Sequence, residues 1–168
     1  VNLATALAKN GQRVLLIDEN PCHNSICTNL GLQARFDLLH VINKDKKLNQ
    51  VLLQGPENIT ILSAMRGIHT LNKLNSHEQN WLIKSFSELT ETVDIVLIDT
   101  AMSGATHVLP LSLASEQVII VISGSAASLT GAYALIKILS QEYAKQHFLI
   151  LVNKVNSETE SFAIYQNL

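Results

Sequence analysis

The chain has 168 residues, 47% of them hydrophobic and 15% charged, and a net charge of −2. That length suits one domain with a full core, and the lack of any Lys/Arg run argues against a nucleic-acid surface as its main feature. No apolar stretch is long enough to span a bilayer, and Val1 to Asn10 does not read as a secretory signal.

In chain order, Leu3, Ala4, Leu7 and Ala8 form an apolar stripe at helical spacing. The helix is already under way at Val1, with no initiator Met and no cap, so the pattern predicts that further chain precedes it. The run VLLI (14–17) predicts a strand, ended abruptly by Asp18, Glu19, Asn20 and Pro21. Cys22 and Cys27 could pair or, with His23, form half a metal site; with no second ligand cluster at metal spacing, two reduced thiols is the simpler reading. His107 and His147 read as surface or helix-end residues.

Between 30 and 56 the pattern predicts a helical excursion. Phe36, Leu38, Leu39, Val41 and Ile42 make one short helix, Leu48, Val51, Leu52 and Leu53 another, and Lys44 to Lys47 a solvated turn between them. Further strands follow at ITIL (59–62), IVLI (95–98), VIIVI (118–122) and FLILV (148–152). Helices are predicted from a Ser76-x-x-Gln79 capping box, over Leu129 to Tyr143, and from Ser157-x-x-Glu160. Strands alternating with helices, most of them without half-exposed alternation, predict a single α/β domain over 1–168. Its sheet is mostly parallel and flanked by helices on both faces.

The chemistry gathers where the strands end. Asp18, Asp99, Ser123 with Gly124, and Asn153 with Lys154 each follow a strand, and parallel strands bring such residues to one edge, where doubly wound sheets bind ligands. Two carboxylates on one edge repel unless a cation intervenes, and hard oxygen donors suit Mg²⁺. The plainer alternative is that each Asp caps the following turn or helix.

At these residues the sequence resembles the deviant Walker A P-loop ATPases of the MinD/ParA group. VNLATALAKNGQRVLLIDENP looks like their first helix and second strand, DIVLIDTAMSG like the Walker B strand with switch II, and LVNKVNS like the adenine-side strand. Within the group, DLLHVINKDKKLNQVLLQGPENITILSA and SLTGAYALIKILS resemble the flagellar-number regulators, FlhG or FleN. The resemblance implies ATP and Mg²⁺ as ligands. Asp99 would hold Mg²⁺ through water. Asp18 would be the first acid of an Asp-x-Asp motif near metal and γ-phosphate. Asn153, with Lys154 beside it, would meet the adenine, and Gly104 would let switch II follow the γ-phosphate.

Two departures modify that expectation. The Gly-rich phosphate loop and the first strand of the family would lie before Val1, and without them the sheet is expected to carry a gap at its centre and to bind nucleotide poorly. Asn20 stands where the family's second Asp would stand; an amide can orient the attacking water but cannot take its proton as a carboxylate does. The resemblance therefore implies a regulatory ATP switch with weak or slow hydrolysis, acting on flagellar number or placement. It implies a nucleotide-dependent homodimer that meets flagellar assembly proteins or their regulators and makes no direct nucleic-acid contact. The protein would be cytoplasmic and touch the inner membrane only through a C-terminal helix not among these residues. Two alternatives are a nucleotide-independent adaptor on a degenerate ATPase fold, and an ATP-dependent biosynthetic enzyme like cobyrinic acid a,c-diamide synthase or dethiobiotin synthetase.

Overall fold

A computed structural model of the chain describes residues 1–19, 25–71, 73–89, 91–100 and 114–168. They form two compact units, Val1–Leu111 and Ser112–Leu168.

The first unit opens with helix α1 (Asn2–Lys9), which buries Ala4, and Gly11 at φ 85° turns the chain into strand β1 (Val14–Asp18). All five residues of β1 are buried. A short helix α2 (Ile26–Asn29) and a second, α3 (Leu38–Ile42), follow. The predicted helix over 48–53 is instead a 3₁₀ turn (Leu48–Gln50) leading into a two-residue strand β2 (Leu53–Gln54). Four apolar residues before Gly55 and Pro56 suit a helical turn or a strand, and here Leu53 and Gln54 pair with the edge of the next strand. Strand β3 (Thr60–Ser63), helices α4 (Ile68–Leu71) and α5 (Ser76–Ser87), and strand β4 (Ile95–Asp99) complete this unit. The N-cap of α5 is Asn75, one residue earlier than the predicted Ser76. Its Oδ1 accepts from the His77 and Glu78 amides, while Glu78 Oε2 accepts from the Asn75 amide. Asn outranks Ser slightly as a cap, and Glu at the third position completes the box.

The strand order is β2-β3-β1-β4, with β3, β1 and β4 parallel and β2 antiparallel at the edge. Successive β1 side chains point to opposite faces. Leu15 and Ile17 meet Leu38, Val41, Leu48 and Leu82, whereas Val14 and Leu16 meet Ala4, Ile26 and Ile59. Both faces are therefore covered, as expected for a helix-flanked parallel sheet. Each fully buried Leu or Ile in these layers contributes about 1.5–3 kcal/mol relative to exposure.

The second unit pairs β5 (Ile119–Ile122) in parallel with β6 (Leu149–Val152), Ile119 opposite Leu149 and Ile122 opposite Val152. Helix α6 (Ala126–Tyr143) is capped by Ser125, whose side chain accepts from the Ser128 amide. Helix α7 (Glu158–Gln166) begins at the predicted Ser157, which accepts from the Glu160 amide. The continuous apolar runs predict burial on both faces, yet exposure alternates here. Ile120 and Ile122 are buried, while Val121 is 58% and Leu149 52% exposed. The sequence pattern records apolarity at every position, but burial needs a covering layer on each face.

Candidate functional site at the carboxyl edge

Asp18 and Asp99 end adjacent parallel strands and are register partners. Strand spacing puts their backbones about 5 Å apart. The ladder continues one step beyond the strands: the Glu19 amide donates to the Asp99 carbonyl at 3.0 Å and the Ala64 amide to the Asp18 carbonyl at 2.9 Å. Asp18, Glu19 and Ser63 are buried, whereas Asp99 is exposed.

Asp18 has a structural duty. Its Oδ2 accepts from the Ile26 amide at 2.7 Å, which ties the first turn of α2 to the end of β1. The capping alternative is thus realised for this residue. Cys27, next along α2, is a buried free thiol. Burial pushes its pKa up, and the negative charge of Asp18 pushes the same way. It therefore stays protonated at neutral pH and acts as a small apolar packing residue. Cys22, His23 and Asn20 lie outside the described residues, as does Gly104.

In the second unit, the Asn153 amide donates to the Ile122 carbonyl at 2.7 Å, placing Asn153 just past the paired strands. Its Oδ1 accepts from the Lys154 amide at 2.9 Å. Lys154 has φ 60°, the left-handed region, which costs a non-glycine residue roughly 1 kcal/mol or more. Ser123 and Gly124 have packing roles: the Ser123 amide donates to Ser128 Oγ, and a Cβ on Gly124 would sit 3.1 Å from Ile164 Cδ1.

The acids and Ser63 offer hard oxygen donors, the chemistry Mg²⁺ requires. Among the described residues, no group of three or more His, Cys, Asp or Glu could hold a metal alone. Any Mg²⁺ at this edge would therefore draw most of its ligands from water and phosphate.

Sequence reasoning missed two features. Glu19 is a fully buried carboxylate beside Asp18; the signal was present as a second acid directly after the strand. The other is a cluster around Asp37, whose carboxylate is held by Arg66 Nε at 2.5 Å and His40 Nδ1 at 2.8 Å. Residues 29 apart in sequence carry no local pattern that announces such a pair. Among the described residues, no helix is long and apolar enough to cross a membrane.

Comparison with known proteins agrees with this architecture. The chain is 33% identical over 168 residues to the antiactivator FleN of Pseudomonas aeruginosa, covering 100% of this chain and 60% of that protein. It is 26% identical to the flagellum site-determining protein YlxH of Helicobacter pylori, covering 99% of this chain and 56% of the relative. It therefore spans somewhat over half the length of these curated relatives. Among solved structures, the MinD cell division protein of Aquifex aeolicus matches with a TM-score of 0.70 at 21% identity, over 97% of this chain and 65% of that one. Cobyrinic acid a,c-diamide synthase of Mycobacterium smegmatis, solved with an ATP analogue and magnesium, matches with a TM-score of 0.69 at 18% identity, over 98% and 72%. These likenesses establish the fold, that of MinD/ParA-type P-loop NTPases. The AAA domain family model matches residues 1–150, and the chain belongs to that family.

Proposed function

We propose that the whole protein is an ATP-binding regulatory switch of the MinD/ParA type that hydrolyses ATP weakly or slowly and controls flagellar number or placement. The observation that carries this reading is the pairing of Asp18 with Asp99 on one carboxyl edge, in a chain similar along its whole length to FleN. The name of YlxH supports the flagellar side.

In this reading Asp99, which is exposed, reaches Mg²⁺ through water, and Asp18 contributes charge behind it. Bound Mg²⁺ would neutralise phosphate charge as the γ-phosphoryl group transfers. Asn20 orients the attacking water without accepting its proton. Asn153 presents an amide to the adenine, with Lys154 beside it, and Gly104 lets the following loop track the γ-phosphate. ATP-dependent homodimerisation and contact with flagellar regulators belong to the same proposal; the solved MinC:MinD complex shows that a protein of this fold takes a protein partner. A cytoplasmic location with peripheral membrane contact completes it.

The test is MgATP binding and single-turnover hydrolysis by the full-length protein, its Asp99→Asn variant and its Asn20→Asp variant. The expected result is MgATP binding by the wild type, a large loss in Asp99→Asn, and faster turnover in Asn20→Asp. Absence of MgATP binding by the wild type would favour the adaptor reading. Equal rates for wild type and Asn20→Asp would remove Asn20 as the limit on hydrolysis.

A further inference from the structure

The 44–47 turn, which reads from sequence as a solvated connection, is built onto aromatic rings. Lys46 Nζ lies 4.5 Å from the Phe36 ring centroid and the Arg35 guanidinium 5.3 Å from it, while Lys44 Nζ stands 5.9 Å from the Trp81 centroid. His40 meets the Phe36 ring edge-on at 5.1 Å, and the same His40 shares Asp37 with Arg66. Four of the chain's twelve Lys and Arg residues thus gather around α3, Arg35 just before it, Lys44 and Lys46 just after it and Arg66 on its N-cap Asp37, with Trp81 of α5 alongside, although the chain as a whole is net negative. Asp37 is buried beneath it. Glu78 of α5 is held by the Asn75 amide, which leaves Asp45 in the turn and Glu88, two helical turns from Trp81, as exposed acids.

A second, independent feature concerns Lys44. The Asp45 amide donates to the His40 carbonyl and the Lys44 amide to the Val41 carbonyl, closing α3 with a Schellman motif. Lys44 occupies its left-handed position at φ 65°. Glycine is preferred there because it has no Cβ to strain. A lysine at that position carries backbone strain and gains a place on Trp81.

We infer that this strip is a docking surface for an acidic segment of a partner protein, one carrying Asp and Glu along a helix or extended stretch. Charge complementarity identifies the partner's chemistry. Cations parked on rings have already lost much of the rotamer freedom that binding otherwise costs, and Arg with aromatic side chains is the composition of interface hot spots. Phe36 and Trp81 are half-buried beneath their cations, so the strip presents charge to a partner and offers no exposed apolar wedge for insertion into lipid. The inference does not draw on the nucleotide reading, because none of its residues is among those assigned there to ATP or Mg²⁺.

The test uses full-length protein and a fluorescein-labelled peptide rich in Glu and Leu, read by anisotropy at low and high salt. Wild type should bind, and added salt should weaken the binding. Arg35→Glu with Lys46→Glu should weaken it by about tenfold or more, since a charge reversal replaces attraction with repulsion. Lys44→Gly separates docking from folding: it should raise Tm by relieving the left-handed strain and still lower peptide affinity. Peptide binding unchanged in both variants overturns the inference, as does failure of the wild type to bind at low salt. Preference for phosphatidylserine vesicles or single-stranded DNA over the peptide, abolished by the same variants, would also overturn it and assign the strip to lipid or nucleic acid.

Discussion

Asp18 supports two things at once: its backbone pairs in register with Asp99 at the carboxyl edge, and its Oδ2 holds the Ile26 amide at 2.7 Å. A single residue thus links the candidate cation-facing edge to the start of α2. The two duties separate by substitution. Asp18→Ala should cost about 1–3 kcal/mol, because a buried amide loses its acceptor. Asp18→Asn keeps a side-chain oxygen for Ile26 and should cost under about 1 kcal/mol. If the proposed function holds, Asp18→Asn in the full-length protein still loses MgATP turnover, by roughly tenfold or more, equivalent to about 1.4 kcal/mol of barrier. Urea midpoints and single-turnover rates check the pair.

At the opposite end of the strands, Arg13 clamps Asp94. The Arg13 backbone amide and Nε both donate to Asp94 Oδ2, at 2.8 and 3.0 Å, and its guanidinium also reaches Asp94 Oδ1 and the Glu91 carbonyl. Hydrogen bonding to the Arg13 side chain, then to its backbone amide, holds the Asp94 carboxyl down to about 2 from an ordinary 3.8. A depressed folded-state pKa contributes stability that is fully present above the unfolded value and is lost as pH falls through the folded one. Wild type should therefore lose stability between pH 4 and 2 more steeply than Asp94→Asn. Denaturant midpoints across that range are the measurement, and similar slopes for the two proteins would contradict it. The exposure of both side chains predicts that the difference shrinks at high salt.

Gly67 lies where the turn after β3 packs on the first turn of α3. A Cβ there would sit 2.8 Å from the Leu39 amide nitrogen and 3.1 Å from the Leu38 carbonyl carbon. Backbone atoms cannot step aside as a side-chain tip does, so Gly67→Ala should destabilise by about 1–3 kcal/mol. Gly131 sits within α6, where a Cβ would meet nothing within 4 Å. Gly131→Ala should stabilise by about 0.5–1 kcal/mol through helix propensity. Opposite signs in thermal melts of the two variants test the packing directly.

Arg66 and Asp37 form an ion pair with unequal partners: the Asp37 side chain is 3% exposed and that of Arg66 52%. Truncating the exposed partner lets solvent partly replace it, while truncating the buried one removes an acceptor from both Arg66 and His40. Asp37→Ala should cost about 1–3 kcal/mol and Arg66→Ala under about 1 kcal/mol. A double-mutant cycle reads their coupling, and a larger loss for Arg66→Ala would show that the pair is dominated by something other than burial.

Local sequence sufficed for the five principal strands, for the helices found at Asn2–Lys9 and Glu158–Gln166, for the helix Ala126–Tyr143 from Leu129 onward, and for the location of Asp18 and Asp99 at strand ends. These depend on local periodicity, capping residues and β-branched runs, which a single chain displays without its neighbours. Register and pairing decided the rest. Only the fold made Asp18 the partner of both Asp99 and Ser63. Only packing turned the 48–53 segment into a 3₁₀ turn and an edge strand, because four apolar residues suit either shape until a neighbour offers hydrogen bonds. The meeting of Asp37 with Arg66, and of Lys44 with Trp81, joins residues 29 and 37 positions apart. Contacts at that separation leave no periodic trace in sequence, since they are fixed by how elements dock rather than by how each one forms.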